Sequence, residues 1–150
     1  VISERELETY LHSKIPLSSA MGVRVLKATT DEIRLLVPLK PNLNHLNTVF
    51  GGSASAAAIL AGWALVNMRL DAFDPRPELV IQANQLQYLK PIFCDFEVTT
   101  EPIDDGAWRA FERSLQRKGR GRIQAGSFLT SEGERCCEFS GTFVALRDQA

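Results

Sequence analysis

The stretch Asn44-His45-Leu46-Asn47-Thr48-Val49-Phe50-Gly51-Gly52 combines residue types and spacing suited to chemistry. Two adjacent glycines lead into Ser53 to Asp71, a run rich in Ala and Leu, without proline and without charge before Arg69. Such a run predicts a helix. Its start offers unpaired backbone N–H groups and the positive end of the helix dipole, an arrangement that holds a phosphate or stabilises a developing oxyanion. The Asn44 side-chain amide, just upstream, is a further neutral donor. Asn44 also reads as a turn residue bonding its own backbone after Pro41. His45 is a candidate donor or proton source and equally a surface imidazole.

Other chemistries find less in the residues. Ser53 and Ser55 are hydroxyls near the helix start, but neither sits in a Gly-x-Ser-x-Gly elbow, and Ser53 reads better as a first-turn donor or cap. Cys136 and Cys137, adjacent on one strand, are expected on opposite faces with no histidine nearby, and packing is the default role for them and for Cys94. His12 lies on an amphipathic segment without a metal-ligand partner, so no metal site is expected. Arg109, Arg113 and Arg117 recur every four residues and share a helix face; Lys118, Arg120 and Arg122 follow. That basic run fits phosphate or an acidic protein surface, or simply a solvated face whose cations complement a helix C-terminus.

The elements that must position these groups follow from periodicity. Ser3 and Glu6 form a capping-box pattern ahead of Leu7, Tyr10, Leu11 and Ile15, and Pro16 ends that helix. Val23 and Val25, then Ile33, Leu35, Val37 and Leu39, alternate as a hairpin turning at Asp31-Glu32. Lys40 to Thr48 is a polar loop. The central helix is apolar on nearly every side and so must be enclosed; Asp74-Pro75-Arg76-Pro77 stops it. Leu79 to Leu89 is a long strand carrying Gln82, Asn84, Gln85 and Gln87, amides suited to contacts across a dimer, around substrate, or with solvent. Cys94 to Thr100 is a strand, Asp105 to Lys118 a helix with Trp108, Phe111 and Leu115 on one side, and Arg122 to Thr130 with Arg135 to Leu146 a closing hairpin around Glu132-Gly133. The pattern predicts an α+β fold, an antiparallel sheet curled round a central helix, in one domain over 1–150.

Composition narrows the classes. At 150 residues and 45% hydrophobic content the chain can bury a substantial core. A net charge of −1 gives no global case for nucleic acid or an anionic membrane. Val1 to Glu6 lacks the basic-then-apolar layout of a signal peptide. Ser53 to Met68 is short for a membrane span and is interrupted by Gly62 and Asn67. An odd cysteine count with two adjacent suits a reducing cytoplasm.

The order of elements, with Asn-x-x-x-Thr-x-x-Gly-Gly before the central helix, resembles the hotdog-fold acyl-thioester enzymes. Tyr88-Leu89-Lys90-Pro91, with Asp95 after it, is similar to the tyrosine-leucine-basic-proline segment of that fold. Asn44 to Ser53, the helix with Trp108, Arg117 to Ile123 and Gly141 to Leu146 resemble more narrowly the thioesterase-like YiiD C-terminal domain family, over nearly the whole chain. The resemblance implies a homodimer or dimer of dimers, with sites at the subunit interface and the acyl thioester approaching the central helix's start. It implies a substrate carried on the phosphopantetheine of acyl carrier protein or on coenzyme A, no other cofactor, and decarboxylation of malonyl-acyl carrier protein to acetyl-acyl carrier protein feeding fatty acid synthesis. Asn44 matches the asparagine essential in that reaction.

A hydrolase needs an activated water or a carboxylate nucleophile, which many hotdog thioesterases place one or two turns into the central helix. Here Ala56 to Gly62 holds no acid, and Phe50 stands where the common motif has histidine. Decarboxylation instead requires a stabilised enolate oxygen and a poorly solvated carboxylate. The residues expected to do this are Asn44, His45, Gly51 and Gly52, with Thr48, Val49, Phe50, Ser53, Tyr88, Arg113, Arg117, Lys118 and Arg120 binding substrate. A thioesterase and a non-catalytic acyl-binding module are the alternatives.

Overall fold

The computed structural model describes residues 2–147. Helix α1 (Glu4–Lys14) begins with the capping box expected of Ser3 and Glu6, the Glu6 N–H donating to Ser3 Oγ at 3.1 Å. The helix ends ahead of Pro16 as expected, and Pro16 then opens a second short helix, α2 (Pro16–Ala20), because proline's fixed φ and missing N–H suit a first helical position. Strands β1 (Arg24–Ala28) and β2 (Ile33–Val37) form the expected hairpin. Thr29, rather than Asp31-Glu32 alone, organises the turn, its Oγ1 accepting from Glu32 N–H at 2.9 Å.

The central helix α3 (Gly51–Arg69) starts two residues before the predicted run, since the glycines are helical, and a 3₁₀ turn (Leu70–Ala72) follows it. Its buried alanines, Ala54, Ala57, Ala58, Ala61 and Ala64, present little bulk, and Gly62 faces Phe143, which a Cβ there would meet at 3.1 Å. By length and composition the helix could cross a membrane, but here the sheet takes up most of its surface. One face stays open: Ala56, Ile59, Trp63 and Asn67, at helical spacing, are only half-buried.

Strands β3 (Glu78–Tyr88) and β4 (Phe96–Thr100), helix α4 (Asp105–Lys118), and strands β5 (Arg120–Ser131) and β6 (Glu134–Leu146) complete the chain. The six-stranded antiparallel sheet has the order β1-β2-β4-β5-β6-β3. It wraps α3, an α+β hotdog arrangement. Along β5 buried and exposed residues alternate, so Arg120, Arg122 and Gln124 face outward while Ile123 and Ala125 face the helix. The predicted alternation fails at Cys136, the unpaired residue of a bulge opposite Leu129/Thr130; Cys136 and Cys137 are both buried. Cys94, predicted to open a strand, precedes β4 and is exposed. β3 lies at the sheet edge, with Val80 and Tyr88 exposed and one side of its backbone unpaired.

Candidate active site

The loop ahead of α3 is held from both ends. Asn42 is buried, and its Nδ2 donates to Met21 O at 2.9 Å and Pro38 O at 2.7 Å. Asn44 then works as the hub. Its Oδ1 accepts from the Leu46 N–H (2.8 Å) and the Thr48 N–H (3.1 Å), and its Nδ2 donates to Thr48 Oγ1 (2.8 Å). The second Nδ2 contact, to Val49 O, is long at 3.4 Å. These bonds close a turn in which Asn47 takes a left-handed φ of 62°, which asparagine tolerates. The turn thereby delivers Phe50 as the N-cap of α3.

No side chain caps this helix. The Ser53 and Ala54 N–H groups donate to Phe50 O at 2.9 and 3.2 Å, so of the two roles its sequence position suggested Ser53 is the first-turn donor and not the cap. Among the described residues no protein group accepts from the Gly51 or Gly52 N–H. Tyr88 Oη donates to the Gly51 carbonyl at 2.9 Å, tying the end of β3 to the first turn. The Phe50 ring lies against Gly52 so closely that a Cβ there would collide with it.

A cavity of about 330 Å³ opens at this helix start. Asn44, Thr48, Val49, Gly51 and Ala54 form one wall; Tyr88, Leu89, Lys90, Pro91, Ile92 and Cys137 form the other. Among the described residues no Asp, Glu, His or Ser lines it. Lys90, the single cation among the described lining residues, is drawn to Glu134, with Nζ 2.9 Å from Oε2. Burial, and secondarily the neighbouring Cys137 thiolate charge, pushes the Tyr88 hydroxyl above its usual value. Burial, then Cys136, pushes the Cys137 thiol up to about 11. Both groups are therefore protonated at neutral pH, and Cys137 is a poor nucleophile. Exposed apolar side chains, Leu43, Leu46, Phe50, Leu89 and Phe93, cluster in the two segments that build the cavity.

Of the residues singled out in the sequence, the fold gathers Asn44, Thr48, Val49, Gly51 and Tyr88 around one cavity. Gly52, Phe50 and Ser53 sit at the helix start without lining it. His45 is exposed on the loop outside the lining. Arg113 and Arg117 are exposed on α4, while Lys118 and Arg120 line a separate cleft. Sequence reasoning missed Ala54, Leu89, Lys90, Pro91, Ile92 and Cys137 as lining residues. The Tyr88–Pro91 segment carried a signal for three of them. Cys137 carried none, because only the Tyr88–Cys137 register brings it there. Among the described residues no group of three or more His, Cys, Asp or Glu side chains could hold a metal ion.

Comparison with known proteins gives a family match, described as "Putative thioesterase (yiiD_Cterm)", over residues 4–147. A solved structure described as a "putative thioesterase" from Shewanella oneidensis is 27% identical, with TM-score 0.83, covering 95% of this chain and 96% of that one. A protein of unknown function from Chlorobaculum tepidum is 23% identical, TM-score 0.87, covering 97% and 94%. PA5026 from Pseudomonas aeruginosa, described as a "probable thioesterase", is 24% identical, TM-score 0.80, covering 96% of each chain. At identities below 25% the likeness establishes the fold alone.

Proposed function

Because the chain belongs to the family described as "Putative thioesterase (yiiD_Cterm)", we propose that it acts on an acyl thioester at the start of α3, and that the reaction is decarboxylation of a malonyl thioester on acyl carrier protein. The observation that carries this reading is a cavity at a helix start where neither the Gly51 nor the Gly52 N–H has a protein acceptor, with no carboxylate or imidazole among the described lining residues. Hydrolysis needs a group to activate water. Decarboxylation needs none: the bond between the α-carbon and the carboxylate breaks, its electron pair moves into an enolate, carbon dioxide leaves, and the α-carbon takes a proton from solvent.

The enolate oxygen is the atom to be stabilised. The Gly51 and Gly52 N–H groups and the positive end of α3 act on it. Asn44 contributes its second Nδ2–H, whose long contact to Val49 O leaves it the one free to turn to a substrate oxygen. Val49, Ala54, Leu89 and Ile92 give the carboxylate apolar surroundings. Lys90, engaged with Glu134, does not hold the carboxylate in its ground state.

A homodimer, or a dimer of dimers, completes the reading: the open face of α3 and the unpaired edge of β3 are adjacent surfaces that a second copy would cover. Three unpaired cysteines fit a cytoplasmic enzyme. The family's description favours a second reading, an acyl-coenzyme A or acyl-carrier thioesterase whose water-activating acid comes from the partner subunit. Incubation with malonyl-acyl carrier protein decides. Acetyl-carrier protein supports the decarboxylase, free thiol the hydrolase, and unchanged substrate a non-catalytic binding module.

A further inference from the structure

We propose that the cleft bearing Arg120 and Arg122 binds the phosphate of the pantetheine arm whose acyl end occupies the cavity of the partner protomer. This rests on the acyl-thioester and homodimer reading above.

The cleft, about 380 Å³, lies where β5 begins. Arg120, Arg122, Lys118, Ser114 and Gln82 supply its polar lining, with no carboxylate among the described lining residues. Its shape is fixed by packing. Ser114 Oγ donates to Arg120 O at 2.7 Å, and Gly121 admits Phe111, which a Cβ would meet at 2.9 Å. Arg120 and Arg122 alternate with buried Gly121 and Ile123, so both guanidinium groups stand on the same outer face. Complementing the α4 C-terminus accounts for Lys118 but not for two arginines on a strand. Gln82, at the bulge in β3, adds an amide. Two guanidinium forks with an amide suit a phosphate. Glu78 shares a row with Leu146 and Arg120 but does not line the cleft.

Within one protomer the cleft is remote from the cavity. Tyr88 pairs with Cys137 and Arg120 with Leu146, so the two sites lie at opposite ends of β6, about 30 Å apart. A two-fold dimer that pairs β3 edges antiparallel reverses this. With the axis at Ala83, midway along β3, Tyr88 of one protomer lies beside the Glu78 position of the other. The partner's row Glu78–Leu146–Arg120 then places the Arg120 backbone three strand spacings from that of Tyr88, about 14 Å. Moving the axis by one residue slides the row by about 7 Å, still well short of the distance within a protomer.

The test compares 4′-phosphopantetheine with pantetheine, which differ by the phosphate alone. Wild type is expected to bind the phosphorylated compound more tightly, and Arg120→Ala/Arg122→Ala to lose about tenfold or more of that advantage with pantetheine binding unchanged. An unchanged preference in the variant, or none in wild type, overturns the cleft assignment. This arm needs no turnover, so an inert wild type would sink the function proposed above and leave the cleft decided. For the active dimer, mixing Asn44→Ala with Arg120→Glu/Arg122→Glu gives heterodimers with one intact site if the cleft serves its partner. Activity above both parents is then expected; no recovery would mean that the cleft does not act across the dimer.

Discussion

Asn44 is at once the hub of a turn and a side-chain amide lining the cavity at the open helix start, and the two roles can be separated. Asn44→Asp keeps an oxygen to accept from Leu46 and Thr48 while removing the Nδ2 donor; Asn44→Ala removes both. The aspartate variant, in which the Thr48 hydroxyl can turn to donate, is expected to keep most of the wild-type stability yet lose turnover of malonyl-carrier protein by roughly 100-fold or more. The alanine variant should in addition lose about 2 kcal/mol in chemical denaturation. Near-normal turnover in Asn44→Asp would remove Asn44 from the oxyanion site. The lining also predicts a pH profile. With Tyr88 and Cys137 both shifted upward and no imidazole or carboxylate present, kcat/KM should be flat from pH 6 to 8. Stability has its own alkaline signature. Cys137 titrates near 9.0 unfolded and about 11 folded; the neutral thiol is favoured by the fold, so its contribution is complete below pH 9 and falls as pH rises towards 11. Cys137→Ala should lessen that decline in urea midpoints taken across the range.

At the scale of elements, the site depends on how closely helices approach the sheet. α4 rests on β5 through Phe111 over Gly121, where an added Cβ would lie 2.9 Å from the ring and 3.0 Å from the Phe111 carbonyl. A ring can turn aside, but a helix carbonyl cannot without moving α4. Gly121→Ala is therefore expected to destabilise by about 1–3 kcal/mol, seen as a lower urea midpoint at unchanged m-value. It should also weaken 4′-phosphopantetheine binding, because the same contact shapes the Arg120 cleft. At the other end of the sheet Tyr88 joins β3 to α3 by one hydroxyl. That bond links the strand that carries the cavity's far wall to the helix that carries its N–H groups.

For the whole molecule, the half-buried stripe Ala56–Ile59–Trp63–Asn67 and the unpaired edge of β3 are adjacent, and an exposed strand edge of that length is a template for pairing. Tyr10 stacks on Trp63, with centroids 6.4 Å apart, and the Trp63 indole donates to Leu79 O at 3.1 Å, so the open face is ordered within one chain. Wild type should sediment as a dimer or a multiple of it. Ile59→Glu, which puts a charge on the stripe without touching the cavity lining, should shift it towards monomer. A wild type that stays monomeric at micromolar concentration would overturn both the interface and the reach of the Arg120 cleft into a partner site.

What the amino-acid sequence determined by itself is whatever lies close along the chain. The periods of 3.6 and 2 placed the helices and strands, the Ser3–Glu6 pair marked a helix start, and the few residues between Asn44 and Gly51 held one wall of the cavity because a turn and a helix N-terminus are local structures. Long-range pairing decided the rest. Cys137 reached the cavity through its register with Tyr88, and the bulge at Cys136 overrode strict alternation. The basic run, continuous in sequence from Arg109 to Arg122, divided when the chain passed from helix to strand at Gly119. Arg120 and Arg122 then faced the outer surface of a sheet while Arg113 and Arg117 remained on a helix. Which strand stands opposite which is fixed by burying apolar faces across the whole core, and no short window of sequence carries that information.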